Sequence, residues 1–60
     1  MNQYLVKCIC TDADNCDLIE KEYVIRCDNI MQALSMVVFL NRYQTGGSSE
    51  VKEVTEVKKI

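Results

Sequence analysis

The 60-residue sequence contains no histidine and no proline, and its only two glycines are adjacent, at Gly46 and Gly47. Without histidine the commonest general base is missing, and a nucleophile elbow is absent as well. The glycine pair follows a helical segment, whereas phosphate-binding loops precede helices. A chain of this length also offers little concavity for a small-molecule substrate or a cofactor. These absences predict that the protein is not an enzyme.

Long hydrophobic runs are missing too. The longest, Met36 to Leu40, is far too short to cross a bilayer. The first residues, MNQYLVK, lack the basic region and the apolar core of a signal peptide. We therefore expect a cytoplasmic protein without membrane contact. In that compartment its four cysteines are expected to be free thiols.

Neither sign of charge dominates the sequence, which has nine acidic and seven basic residues and a net charge of −2. The basic residues are dispersed, and Lys58 and Lys59 form their only adjacent pair. Nucleic acid is therefore an unfavoured partner, because tracking phosphates needs a more basic surface. A small nucleic-acid-binding regulator stays open as an alternative, with Lys7 and Arg26 standing near the C-terminal lysines.

Two segments alternate between apolar and polar residues and predict strands, at 3–11 and 18–27. The polar stretch 12–17 between them predicts an antiparallel hairpin. Lys21 interrupts the apolar side of the second strand near the hairpin, where we expect its ammonium group to reach water. The apolar sides consist of Tyr4, Val6, Cys8 and Cys10 on the first strand, and Ile19, Tyr23, Ile25 and Cys27 on the second.

A helix is predicted to begin after Asp28 or Asn29, which can cap its first turn, and to end at the glycine pair. The final segment, 51–60, carries a valine at every third position, which suits neither a strand nor a helix cleanly. Its β-branched residues favour a strand, with an amphipathic helix as the alternative. The predicted domain, residues 1–60, is α+β: a three-stranded, hairpin-based sheet with one helix packed on one face, in the order β-β-α-β.

This helix is apolar on more of its circumference than one sheet can cover. At about 100° per residue, one stripe is predicted to face the sheet. Other apolar residues fall on the far side and predict an interaction surface for a second copy of the chain, an unidentified protein, or both. The predicted core stripe is Ile30, Ala33, Leu34, Val37 and Val38, and the predicted interaction surface is Met36, Phe39, Leu40 and Tyr43.

The cysteines leave a second alternative open, a zinc mini-domain. With no histidine, all four thiols, Cys8, Cys10, Cys16 and Cys27, would have to converge on the metal. We favour the interpretation that Cys8, Cys10 and Cys27 are small buried hydrophobic residues. The stretch 12–17 resembles the opening of a calcium loop but lacks its glycine and its final glutamate, so a solvated turn is predicted there.

Residues Tyr23 to Leu34, preceded by Glu22, read EYVIRCDNIMQAL. In this stretch a predicted strand is followed directly by a predicted helix that contains a Gln-Ala pair. Together with the hairpin and the Val/Glu/Lys-rich final strand, it resembles small β-β-α-β proteins encoded by bacteriophages and other mobile elements. The resemblance transfers no functional residues. It implies a phage or bacterial regulator or inhibitor that acts by binding another protein.

Overall fold

A computed structural model of the protein describes residues 1–12, 14 and 17–60. It contains strand β1 (Asn2–Thr11), strand β2 (Leu18–Cys27), helix α1 (Ile30–Thr45) and strand β3 (Val51–Lys59). The strands form one antiparallel sheet in the order β2-β1-β3. The predicted α+β fold and its β-β-α-β order are therefore confirmed, including the strand at the C-terminal end.

Alternation along the hairpin places one apolar side of each strand beneath the helix. Each step along β1 moves one position along β2, so that Tyr4 lies opposite Ile25 and Val6 opposite Tyr23. The opposite side of the sheet, called the open face below, carries Leu5, Lys7 and Ile9 on its central strand. The buried hydrophobic residues are Tyr4, Val6, Cys8, Cys10, Ile25, Cys27, Ala33 and Val37.

Side chains and glycines close both ends of the helix. Asn29 is the N-cap, and its side-chain oxygen accepts a hydrogen bond from the Gln32 N–H at 2.9 Å. At the other end Gly46 and Gly47 adopt positive φ angles of 64° and 87°. There the Gly47 N–H donates to the Arg42 carbonyl at 2.9 Å, which satisfies one of the free carbonyls of the last turn. Within the described residues, this helix is too short and too polar to span a membrane.

The predicted core stripe of the helix is partly wrong. Ala33 and Val37 are buried as predicted and Leu34 is half-buried, but Ile30 and Val38 are exposed. The helix lies over β1 and β2 more than over β3, so its side toward β3, which carries Val38, is left uncovered. Ile30 lies in the first turn, where the chain reverses at the end of the sheet.

Two bulges explain the three-residue spacing of the valines in β3. Val51, Val54 and Val57 lie opposite Cys10, Cys8 and Val6, so all three face the helix. In a regular strand, residues on one face are two positions apart. Each interval between these valines contains one additional residue that has no partner in β1, Lys52 in the first interval and Thr55 in the second. The Thr55 hydroxyl donates to the Lys7 carbonyl at 3.2 Å, across the second bulge.

Deleting Thr55 is expected to leave the protein folded, because Val54 and Val57 then keep the same face in a regular strand. The free energy of unfolding should change by no more than about 1 kcal/mol, as for most exposed sites. Deleting Glu22 from β2 is the matched control. This deletion moves the apolar residues on one side of the gap to the opposite face of the sheet, and it should prevent folding. Circular dichroism and urea unfolding of both variants test this; equal damage from the two deletions would contradict the bulge assignment.

Candidate functional site

An exposed apolar patch covers the side of the helix that points away from the sheet. We call Met36, Phe39 and Tyr43 the outer patch; their exposed fractions are 40%, 66% and 77%. The rings of Phe39 and Tyr43 stack, with centroids 6.3 Å apart and planes 17° from parallel. Leu40, predicted to belong to the same surface, is instead half-buried against the core. The structure therefore leaves three of the four predicted residues exposed and brings Phe39 and Tyr43 together.

The helical repeat builds this patch. Phe39 and Tyr43 are four residues apart, the spacing that places two side chains above one another on one helix face. The two stacked rings form an exposed apolar surface. Burying a side chain of this size contributes roughly 1.5–3 kcal/mol, which makes the patch a favourable place for another molecule to bind.

Beneath the other side of the helix lies a polar network centred on Asn41, which is 1% exposed. Its side-chain oxygen accepts from the Lys21 ammonium group at 2.8 Å and from the Tyr23 hydroxyl at 3.3 Å. Its amide nitrogen donates to the Ser49 hydroxyl at 3.2 Å, and that hydroxyl donates in turn to the Thr11 carbonyl. The network therefore connects β2, the helix, the following loop and the end of β1.

This network is not predicted by the sequence patterns described above. The sequence indicates only that the Lys21 ammonium group reaches water, whereas in the structure this half-buried lysine also donates to Asn41. A signal was present: Asn41 falls at about 20° from Ile30 on the helical projection, within the apolar stripe. Lys21 likewise interrupts the apolar side of β2 that faces the helix. Because a buried polar group without a hydrogen-bond partner is costly, the two residues are expected to bond to each other.

The cysteines of the described residues lie inside the protein as free thiols. Cys8 and Cys10 are on the helix side of β1 with their sulfur atoms 3.5 Å apart, and Cys27 donates to the Asn29 carbonyl. Burial, with a smaller contribution from Cys10, raises the pKa of Cys8 to about 11. The pKa of Tyr23 is also raised, mainly by burial and then by Cys10 and Cys8. A protonated, buried thiol is a poor nucleophile, so Cys8 acts as a packing residue.

The strand register separates the cysteines that a four-thiol zinc site would need to bring together. Cys8 lies opposite Lys21, whereas Cys27 lies opposite Asn2. These positions are six residue steps apart along β1, which is about 20 Å along the strand. Zinc–sulfur bonds are about 2.3 Å long, so Cys8 and Cys27 cannot share one ion. This zinc alternative is therefore wrong.

Other proposed metal ligands fall in the hairpin loop. Cys16 lies outside the described residues, as do Ala13 and Asn15 of the stretch that resembles a calcium loop. The Asp12 carboxylate accepts the backbone N–H of Asp14 at 2.7 Å. Among residues 1–12, 14 and 17–60, histidine, cysteine and acidic side chains form no group of three or more placed to hold a metal ion.

Charges on the open face pair with one another. The Lys7 ammonium group lies 3.8 Å from a Glu22 carboxylate oxygen on one side and 4.0 Å from a Glu56 oxygen on the other. This lysine was one of the two basic residues considered for phosphate contacts. With a carboxylate on each side it offers little net positive charge, which disfavours the nucleic-acid alternative.

Replacing Asn41 with leucine is expected to lower the free energy of unfolding by about 2–3 kcal/mol, because the ammonium group of Lys21 then lacks its acceptor. Adding Lys21→Met should restore more than half of that loss, since both members of the pair are then apolar. Urea unfolding of the two single variants and the double variant measures the coupling. Strictly additive losses would contradict the network.

Stability is expected to fall at alkaline pH. Because the folded state raises the pKa of Cys8 from its ordinary 9.0 to about 11, its contribution is complete below pH 9 and is lost as the pH rises through 11. The raised pKa of Tyr23 acts in the same direction above pH 10. Urea unfolding from pH 7 to 11 should show a shallower decline for Cys8→Ala than for the unmodified protein. Parallel declines would argue against this assignment.

Comparison with known proteins provides no relative from which a function could be transferred. No protein-family model, no curated protein and no solved structure matches the chain. Any function must therefore be argued from the side chains themselves, and the outer patch contains the stacked pair of exposed aromatic rings on the helix.

Proposed function

We propose that this protein is a non-catalytic protein-binding module that works in the cytoplasm as a phage or bacterial regulator or inhibitor. It acts by contact, through the outer patch of Met36, Phe39 and Tyr43. The observation that carries the proposal is the exposed, stacked pair of Phe39 and Tyr43. Free thiols at Cys8, Cys10 and Cys27 agree with a reducing compartment.

The choice of residues in the core supports a binding role for the patch. The largest fully buried side chains are Val6, Val37, Asn41, Cys8 and Cys10, all of modest size. The sequence has a single phenylalanine, and it is two-thirds exposed at Phe39 instead of filling this core. An isolated domain would gain stability by burying its largest apolar ring, so the exposed position indicates a partner.

The chemistry of the patch fits a protein partner. Aromatic residues and methionine are enriched at the centres of protein interfaces, where rigid rings anchor and methionine adapts its shape. Ser35 and Arg42 are exposed on the same helix and supply polar groups at the rim. An apolar centre with a polar rim is the usual composition of such an interface.

Phe39→Glu should abolish partner capture while leaving the fold intact. The side chain is two-thirds exposed, so the free energy of unfolding should change by less than about 0.5 kcal/mol. The matched control is Leu18→Glu, which also places a carboxylate on an exposed apolar site, 65% against 66%, but on the open face. The immobilised unmodified protein and both variants would be incubated with bacterial lysate, and captured proteins identified by mass spectrometry.

A protein retained by the unmodified chain and by Leu18→Glu, but lost with Phe39→Glu, would support the proposal. Equal capture by all three proteins would show that the outer patch is not the binding surface. Repeating the capture with Tyr43→Ala tests the stacked pair, and a loss of binding of about tenfold or more is expected if its ring is an anchor.

A further inference from the structure

The two edges of the sheet differ in how well they could pair with a strand of another molecule. The β3 edge is interrupted by bulges at Lys52 and Thr55, and bulges and lysines are devices that prevent strand addition. The β2 edge has neither bulge nor proline. Its ten residues, Leu18–Cys27, pair with β1 in unbroken register, and its other side faces no strand among the described residues.

We infer that a second copy of the chain pairs with this edge, β2 against β2 in antiparallel orientation, with Val24 on the two-fold axis. A six-stranded sheet would result, with both helices on the same face. In this register Glu22 lies opposite the partner's Arg26, and Tyr23 opposite the partner's Ile25. The register is chosen because its central pairs match, with Glu22 and Arg26 opposite in charge on the open face and Tyr23 and Ile25 both apolar on the helix face.

On the open face, side chains on neighbouring strands form rows across the sheet, and this register continues those rows into the second chain. Leu5 lies between Val24 and Lys58, so pairing at Val24 joins two leucines and two valines into a continuous apolar row. Lys7 lies between Glu22 and Glu56, so the partner's Arg26 adds a positive charge next to Glu22. The row of charges then alternates in sign across the interface. Shifting the partner by two residues to centre Glu22 would place two carboxylates against each other.

The helix position is compatible with the same arrangement. Neighbouring strands are about 4.8 Å apart, so helices lying over β1 and β2 on each side of the axis would be about 10 Å apart. Packed helices have interaxial distances of about 8–10 Å. Val38 and Arg42 line an open cleft on the β3 side, which places Met36 and Leu40, about half a turn round the helix, toward the β2 edge. These two apolar side chains would meet the partner's helix.

A charged side chain that points inward from an edge strand can prevent another strand from pairing with it, and Lys21 has that position on β2. In this register Lys21 lies at the end of the paired segment, opposite the partner's Cys27, and its ammonium group is already bonded to Asn41. The dimer goes beyond the proposed function because it does not use Phe39, which points away from the sheet. A dimer built this way would cover Met36 but would still display two stacked pairs of Phe39 and Tyr43.

The test is a charge exchange followed by mixing. E22R places two cations opposite each other at both ends of the paired segment, and R26E places two anions there. Each substitution should weaken dimerisation by about tenfold or more in sedimentation velocity. An equimolar mixture should form a heterodimer as tight as the unmodified dimer, because one chain then carries a cation at both positions and the other an anion at both.

The mixture also controls for folding, since only folded chains can restore the complex. E53R, on the same face of the sheet but on β3, should leave dimerisation unchanged. A monomeric unmodified protein at high micromolar concentration would overturn the inference. So would a dimer that tolerates E22R and R26E but is dissociated by F39E, because self-association would then run through the outer patch. Failure of the lysate capture by the outer patch alone would leave the β2 dimer standing.

Discussion

One helix on one face of a three-stranded sheet is the constraint on which the rest of this protein depends. The chain has a single helix–sheet interface in which to bury apolar groups, and small side chains such as Ala33, Val37 and Cys8 let the two layers approach closely. Tyr4 is buried in this interface, whereas Phe39 and Tyr43 lie on the side of the helix that points away from the sheet and are exposed.

The same constraint gives the polar network its importance. A core made of small residues supplies limited hydrophobic stabilisation, and a chain of 60 residues is marginal to begin with. Asn41 fixes the helix over β2 through Lys21 and Tyr23, and Ser49 fixes the following loop to the end of β1. Hydrogen bonds of this kind are directional, whereas apolar contacts are not. They specify one position of the helix, and so they also determine which of its side chains face solvent.

The two edge strands divide the remaining surface. Bulges in β3 turn three valines toward the helix and at the same time make that edge a poor template for pairing. The regular edge of β2 lacks this protection, and its charges are complementary to themselves in one antiparallel register. Met36 lies toward the β2 edge, whereas the stacked rings of Phe39 and Tyr43 point away from the sheet, so pairing at that edge would leave both rings exposed.

Local patterns in the sequence determined the secondary structure. Alternation defined both strands of the hairpin, Asn29 and Gly46 marked the ends of the helix, and β-branched residues favoured a strand at the C-terminal end. Each of these signals acts between residues close in the chain. The exposure of Phe39 and Tyr43 also followed from the helical repeat, because their side of the helix is opposite the buried stripe.

Only the tertiary structure decided where the helix lies across the sheet. That position leaves Ile30 and Val38 exposed, half-buries Leu40 and brings Asn41 to Lys21, residues twenty positions apart in the chain. The bulges in β3 were likewise undetermined by the sequence alone, since a three-residue spacing of valines becomes a strand pattern only when β1 fixes the register. The physical reason is the same in both cases: packing between distant segments selects among arrangements that local preferences leave nearly equal in energy.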